Sequence, residues 1–240
     1  MRSLARRKAV ARRVVRALQH RYGSPRLNNK DDPLDELIFI LLSQMTTGPS
    51  YERVFDRLKR EMGCWDRLLT VDLEGLKAVI TDAGLSNQKA PRLITIAARL
   101  HEDFGSVSLA PIASFEDVIA ERYLTSLPGV GLKTAKCVMM YSLARKVLPV
   151  DTHVYRVSQR LGLLPPNTPR IRVHEALEAV VAPAMRYDYH VNAVAHGRVV
   201  CRAKEPRCLE CAIRKSCASF EGDPKVRRLR QITSVTRLAI

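Results

Sequence analysis

The fold of this chain is decided by Leu127-Pro128-Gly129-Val130-Gly131, which separates two segments with helical spacing of apolar residues, about 115–126 and 131–145. The two glycines permit backbone conformations that other residues avoid, so the stretch predicts a tight hairpin between two helices. The first N–H groups of the second helix have no helical partners, and a phosphate can approach them beside glycines that lack Cβ. The hairpin would then hold a DNA backbone without reading its sequence, although an ordinary helix-loop-helix corner explains the five residues about as well.

Helical spacing extends well beyond this hairpin. Apolar residues recur three and four positions apart in nearly every segment, as at Leu37, Ile38, Leu41 and Leu42, and no segment alternates as a strand does. With 240 residues, of which 46% are hydrophobic, the chain can bury a core without disulfides. We therefore predict an all-α fold of about ten helices.

The net charge of the chain is strongly positive. Lys and Arg number 40 against 24 Asp and Glu, a formal charge of +16, and an extended polyanion such as nucleic acid is the natural partner. Anionic lipid is the weaker alternative, and no apolar run approaches the roughly 18 residues of a membrane helix. The acid-free, Arg-rich residues 1–30 are also typical of an organellar transit peptide. We predict a cytoplasmic protein, associated with the nucleoid and without a membrane partner.

Lys133 carries a side chain suited to attack a sugar. It lies in the first turn of the helix after the hairpin, where the positive end of the helix macrodipole disfavours the protonated amine. A neutral amine can attack C1′ of a flipped nucleotide, expel the base and leave a Schiff base that permits strand cleavage by β-elimination. Taken alone, Lys133 can also be a solvated surface lysine, and Asp151, at the start of another predicted helix, reads as an N-cap.

Four of the six cysteines stand close together in the sequence, at Cys201, Cys208, Cys211 and Cys217. This spacing lets four thiolates surround one centre, which suits either zinc or an iron–sulfur cluster. Three cations lie between the first two cysteines, namely Arg202, Lys204 and Arg207. An ordered centre would present them to phosphates. Four reduced cysteines without metal are the alternative, but so polar a segment rarely forms a dry core.

These motifs together resemble the endonuclease III family of helix-hairpin-helix DNA glycosylases. The hairpin is followed by Lys133 and, eighteen residues later, by Val150-Asp151-Thr152-His153, and His196-Gly197-Arg198 precedes the cysteines as it does in that family. The resemblance implies that Lys133 is the nucleophile and that Asp151 activates it or stabilises positive charge on the sugar. It also implies that His153 lies at the DNA and that the four cysteines hold a [4Fe–4S] cluster, with zinc in second place.

The resemblance covers about Leu34 to Cys217 and implies a two-domain fold. Residues 26–145 would form a six-helix barrel domain that contains the helix-hairpin-helix motif. Residues 1–25 and 146–240 would form a discontinuous helical cluster domain that ends in a basic tail. We expect a monomer with the DNA cleft between the domains.

Two places near the expected site depart from the family, at Gln44-Met45 and at Lys136, and the resemblance implies a further DNA contact at Leu85. Where the family reads LLSAQ, with a Gln that fills the space left by the flipped nucleotide, this chain reads Leu41-Leu42-Ser43-Gln44-Met45. Met45 aligns with that Gln, and it can pack in the gap but offers no strong hydrogen bond to the opposite base. Leu85 resembles an apolar wedge that enters the stack. Lys136 stands where Asn is common, and it either favours the neutral form of Lys133 or contacts a phosphate. Gln44, Met45 and Leu85 have an alternative placement in the core.

The resemblance implies a base-excision-repair enzyme, a bifunctional glycosylase and AP lyase acting on duplex DNA that contains a damaged base or an abasic site. Oxidised pyrimidines are the substrate class it favours. Two alternatives stay open: a relative that removes mismatched thymine or adenine, because the departures fall in loops around the flipped base, and a weakly catalytic damage-binding protein. The presence of both Lys133 and Asp151 favours the lyase.

Overall fold

The computed structural model describes residues 3–25, 29–46 and 50–222. Within these ranges the chain forms eleven α-helices and no strand, so the predicted all-α class is confirmed. The helices are α1 (Leu4–Tyr22), α2 (Pro33–Ser43), α3 (Ser50–Met62), α4 (Leu73–Ile80), α5 (Ser86–Phe104), α6 (Asp117–Ser126), α7 (Leu132–Tyr141), α8 (Thr152–Leu161), α9 (Val173–Glu178), α10 (Arg186–Val199) and α11 (Ala218–Gly222).

The chain divides into two compact units. One unit, here called the hairpin unit, runs over Asn28–Arg145 and contains the six helices α2 to α7. The other, here called the cysteine unit, joins Met1–Leu27 to Lys146–Ile240 and contains α1 and α8 to α11. The cysteine unit is therefore discontinuous in sequence, with the hairpin unit inserted between its two segments.

The hairpin unit has α2 as its most buried helix. Asp32 accepts hydrogen bonds from the backbone N–H groups of Leu34 and Asp35, at 2.9 Å each, and Pro33 supplies the φ angle of the first turn. Apolar residues then occupy nearly every side of the helix, and most of it is buried. Each buried Leu or Ile contributes about 1.5–3 kcal/mol. Helix α2 ends at Ser43, and Gln44 is its C-cap residue.

The cysteine unit has one core built from both of its segments. The buried face of α1, with Val10, Val14 and Leu18, shares a hydrophobic cluster with residues of α8, α9 and α10. Tyr189 is buried at the centre of this cluster, where its hydroxyl hydrogen-bonds to that of Ser158. Three of the four clustered cysteines pack against the edge of the same core. The cysteine segment is thus attached to a well-packed body.

The basic tail predicted from the sequence lies beyond residue 222 and so outside the described residues. Among the helices that the structure describes, none has the length and apolar character needed to cross a membrane.

Candidate functional site

The predicted hairpin is present. Helix α6 ends at Ser126 and α7 begins at Leu132, and between them the N–H of Val130 donates to the carbonyl of Leu127 at 3.2 Å. Leu127 and Val130 are buried and anchor the turn. Gly129 has a φ of 77°, a conformation that strongly favours glycine. The chain therefore turns here for the reason the sequence suggested.

Of the two reasons that the sequence offers for a glycine at 131, the unusual backbone conformation does not apply and the missing Cβ does. Its φ of −90° and ψ of 171° are open to any residue, so its backbone conformation does not require glycine. Among the residues that the structure describes, none lies within 4 Å of a Cβ built at this position, and none caps the start of α7 with its side chain. The first N–H groups of α7 are accordingly accessible from outside, as anion binding at a helix N-terminus requires.

Arg92 lies directly against the hairpin, and the sequence analysis missed it. A Cβ at Gly129 would lie 3.0 Å from Cδ and 3.3 Å from Nε of Arg92. The structure shows no hydrogen bond or ion pair between this guanidinium and any residue it describes. A cation without a protein partner beside the exposed start of a helix is placed to meet a phosphate.

Lys133 is half-buried in the first turn of α7. Its amine has no hydrogen bond or ion pair within the described parts of the chain. The positive charge of Lys133 interacts with the carboxyl group of Glu36, on α2. Burial raises the pKa of Glu36 to about 7, against opposing effects from hydrogen bonds donated by Lys30 and Asn29 and from the charges of Lys133 and Lys30.

Lys136 has an intramolecular partner. Its side chain is only 7% exposed, and Nζ forms an ion pair with Glu121 of α6 at 2.8 Å. This position departs from the expected phosphate contact, because the ion pair would have to open before the amine met DNA. The pair ties α6 to α7 and so braces the hairpin that joins them.

Gln44 and Met45 point in different directions. The amide nitrogen of Gln44 lies 3.4 Å from the carbonyl oxygen of Gly129 and 3.5 Å from Oγ1 of Thr134, so its side chain turns towards the hairpin. Met45 is 87% exposed and has a φ of 54°. The core alternative for Met45 is therefore wrong.

Leu85 repeats the features of Met45. It is 45% exposed and has a φ of 54°, which excludes the core alternative for this residue also. A left-handed backbone costs an ordinary residue about 1–2 kcal/mol, and exposure of a large apolar side chain brings no compensating burial. Two strained, exposed apolar residues in one unit are typical of a functional surface.

Asp151 and His153 belong to the cysteine unit, whereas Lys133 belongs to the hairpin unit. Asp151 is the N-cap of α8, and its Oδ1 accepts from the N–H of Val154 at 2.7 Å. Its Oδ2 accepts from none of the residues described. His153 packs closely on α10, because a Cβ built at Gly197 would lie only 2.8 Å from the Cβ of His153. The Gly of the His196-Gly197-Arg198 motif thus permits close packing of α8 on α10.

The four clustered cysteines line one cavity of about 170 Å³. Arg160 donates to Sγ of Cys201 at 3.3 Å, and Nε2 of His196 lies 3.4 Å from Sγ of Cys211. Burial, with a smaller contribution from the charges of the neighbouring cysteines, raises the pKa of Cys211 to about 11. No three His, Cys, Asp or Glu side chains in the described ranges stand in an arrangement that would hold a single metal ion.

The cations between the cysteines differ in exposure. Arg202 is half-buried, whereas Lys204 and Arg207 are exposed. Arg207 lies 3.8 Å from a carboxylate oxygen of Glu210, a weak surface pair. Lys204 and Arg207 are therefore the members of this group that a phosphate can reach without rearrangement of the loop.

Comparison with known proteins agrees with this fold. A model of the HhH-GPD superfamily of base excision DNA repair proteins matches residues 38–183. Endonuclease III of Thermotoga maritima is 31% identical over 211 residues, which cover 88% of this chain and 92% of that protein. A putative DNA glycosylase of Arabidopsis thaliana is 32% identical over 178 residues, 73% of this chain and 60% of that protein, so the chain spans less than two thirds of this relative.

The solved structures include a trapped covalent intermediate of endonuclease III with DNA. Its sequence is 25% identical to this chain. The structural match covers 92% of this chain and 99% of the endonuclease III chain, with a TM-score of 0.78. The chain therefore belongs to the HhH-GPD superfamily of base excision DNA repair proteins. Its predicted resemblance to endonuclease III, and with it the predicted class of enzyme, is confirmed at the level of the family.

Proposed function

We propose that this chain is a bifunctional DNA glycosylase and AP lyase in which Lys133 is the nucleophile. The observation that carries the proposal is the position of its amine: half-buried, without a protein partner among the described residues, in the uncapped first turn that follows the hairpin. The amine lone pair forms the bond to C1′ while the glycosidic electrons leave with the base. The base takes up a proton as it leaves, and the amine loses one. The nitrogen lone pair then forms the C=N bond of the protonated Schiff base as O4′ leaves C1′ and is protonated, and β-elimination removes a proton from C2′ while the C3′–O bond breaks and expels the 3′ phosphate.

Asp151 supports this step through its charge. The N-cap position uses Oδ1 and places the carboxylate at the positive end of α8. A carboxylate stabilises the positive charge that develops on the sugar as the base leaves. We assign this role to Asp151, and the N-cap is the means by which the chain holds the carboxylate in a fixed direction.

The DNA is held through its backbone and opened by apolar side chains. The start of α7 and Arg92 bind phosphates at the hairpin, and Lys204 and Arg207 bind phosphates at the cysteine loop. Met45 and Leu85 enter the stack around the flipped nucleotide. His153 remains a predicted neighbour of the DNA, and action as a monomer at the nucleoid remains a prediction from the sequence.

The four cysteines are proposed to hold a [4Fe–4S] cluster. They fit such a group because all four line one cavity and two of them already accept or share hydrogen bonds with basic side chains. The cluster would supply a rigid link between the ends of the cysteine segment. Arg160 would hold the loop in place, since its guanidinium also donates to the carbonyls of Arg202 and Ala203, at 2.7 and 3.1 Å.

Oxidised pyrimidines are the proposed substrate class. A second base choice, mismatched thymine or adenine, is favoured by one observation: Met45 is exposed where the family has a hydrogen-bonding Gln. Borohydride trapping on duplexes that contain thymine glycol, dihydrouracil, an abasic site, or a G·T or A·G mismatch separates the two. We expect trapping on the oxidised pyrimidines and the abasic site. Base release confined to a mismatch would support the second choice, and binding without trapping on any duplex would contradict the lyase.

A further inference from the structure

A buried lysine connects the two segments that carry the exposed apolar residues. Lys89 of α5 is 3% exposed. Its Nζ donates to the carbonyls of Leu42 at 2.6 Å and Ala83 at 2.8 Å, and to Oγ1 of Thr46 at 3.0 Å. An ammonium group has three N–H donors, so this geometry uses all of them.

The three acceptors come from two different parts of the chain, residues 42–46 and 83–85, here called the wedge segments. Leu42 and Thr46 flank Met45, and Ala83 stands two residues before Leu85. The hydroxyl of Thr46 also lies within hydrogen-bond distance of the Ala83 carbonyl. One buried side chain and one hydroxyl therefore fix the backbone on both sides of the gap between Met45 and Leu85.

This arrangement is not explained by simple packing. No carboxylate in the described ranges pairs with Lys89, and burial, together with the charge of Arg92, lowers the pKa of its amine to about 8. An apolar side chain would fill the same space without the cost of desolvating an ammonium group. It would not join two carbonyls and a hydroxyl from separate segments, and that connection is what the lysine adds.

Met45 and Leu85 need such support because both have a φ of 54° and both side chains are exposed, at 87% and 45%. We infer that Lys89 is a positioning residue that holds the two wedge segments at a fixed separation, so that Met45 and Leu85 enter the duplex together as one wedge. The inference rests on the proposed function, since it assigns these two side chains to the opening of the base stack. Lys89 itself touches neither the reacting atoms nor the apolar tips.

The test uses the full chain with its cluster and compares two substrates. Lys89→Met removes all three hydrogen bonds and keeps most of the side-chain volume. We expect single-turnover base release from a thymine glycol duplex to fall about tenfold or more, because a wedge displaced by about 1 Å opens the stack poorly. Borohydride trapping on a single-stranded abasic oligonucleotide, which has no stack to open, should stay within about twofold of wild type.

Three further variants keep the outcome interpretable. Lys89→Arg should recover most of the duplex activity, and Lys77→Met, on α4 of the same unit, should behave as wild type. Thr46→Val, which removes one hydroxyl, should give a smaller loss on duplex alone, and it provides the test if Lys89→Met does not fold. In the Lys89→Met background, Leu85→Ala should add little, because the wedge is already displaced.

The outcomes separate this inference from the proposed function. If wild type traps on neither substrate, the proposed function fails and the inference fails with it. If wild type acts on both and the Lys89 and Thr46 variants match it on duplex, only the inference is overturned. Equal losses on duplex and on single strand would also overturn it, because they would show a general structural role.

Discussion

The N-termini of α7 and α8 satisfy the same electrostatic demand in opposite ways. Helix α7 starts after Gly131 without a side-chain cap from any described residue, whereas Asp151 caps α8 with its own carboxylate. Both helix starts carry a partial positive charge. The first leaves that charge for an anion from outside, and the second neutralises it with an anion of the chain. An open helix start beside Lys133 is suited to bind a phosphate, and a capped one is suited to hold a catalytic carboxylate.

The largest effect is expected when the charge of the capped start is removed. Asp151→Asn keeps an oxygen for the N–H of Val154 but has no charge, so base release should slow by about 10²–10³-fold while thermal stability changes little. Single-turnover base release from a thymine glycol duplex measures this. Glu175→Gln, an exposed carboxylate of the same unit, is the control. A rate within twofold of wild type would show that Asp151 serves only as a cap.

The charge of Lys133, in the first turn of α7, acts on the carboxyl group of Glu36, so the titration of Glu36 can be measured as a test at this helix start. Folding raises its pKa from 4.5 to about 7, so the folded state holds the proton more tightly, and stability should fall as pH rises between these values. Glu36→Gln cannot ionise and should lack this decline, which amounts to about 3 kcal/mol in the free energy of unfolding. Thermal midpoints of both proteins from pH 4.5 to 8 measure it, with the exposed Glu74→Gln as control. If the difference in stability between Glu36→Gln and wild type stayed constant over this pH range, the raised pKa of Glu36 would be contradicted.

The two hairpin glycines should respond differently to the same substitution. Gly129→Ala forces a side chain into a φ of 77° and towards Arg92, so it should lower stability by about 1–2 kcal/mol. Gly131→Ala should leave stability unchanged, because its backbone is ordinary and its surroundings are open. It should instead weaken DNA binding, since the new methyl group occupies the approach of a phosphate. Thermal unfolding and fluorescence anisotropy at fixed salt distinguish the two, and identical behaviour would contradict this difference.

The smallest effect is expected at Arg92. Arg92→Gln should weaken binding to undamaged duplex by about five- to tenfold and reduce the salt dependence by about one charge. Arg99→Gln on the same helix is the matched control, because the Arg99 guanidinium already pairs with Asp103 at 2.7 Å. An unchanged salt slope for Arg92→Gln would show that this guanidinium does not meet a phosphate.

Local sequence signals predicted much of the molecule. The spacing of apolar residues predicted the helical class, and the run at residues 127–131 predicted a turn whose bounds the structure reproduces to within a few residues. The position of Asp151 at the start of a predicted helix indicated an N-cap, and the structure has the corresponding hydrogen bond from Val154. These features depend on residues that are close together in the chain, and for that reason they can be predicted from the sequence.

Features that depend on contacts between residues far apart in the chain were missed. The contact of Arg92 with Gly129 joins residues that are far apart in sequence, and no local pattern marks it. Lys136 was predicted either to favour the neutral form of Lys133 or to contact a phosphate, and its ion pair with Glu121 on the other arm of the hairpin was not foreseen. Lys89 resembles any helical surface lysine until the two wedge segments fold over it.

The central claim is that Lys133 is the nucleophile, and borohydride trapping of Lys133→Gln tests it most directly. Wild type and Lys77→Gln should each form a covalent complex with a duplex that contains an abasic site, and mass spectrometry should place the linkage on Lys133. Lys133→Gln should bind the same duplex with about the wild-type affinity and form no covalent complex. A covalent complex that persists in Lys133→Gln would contradict the account.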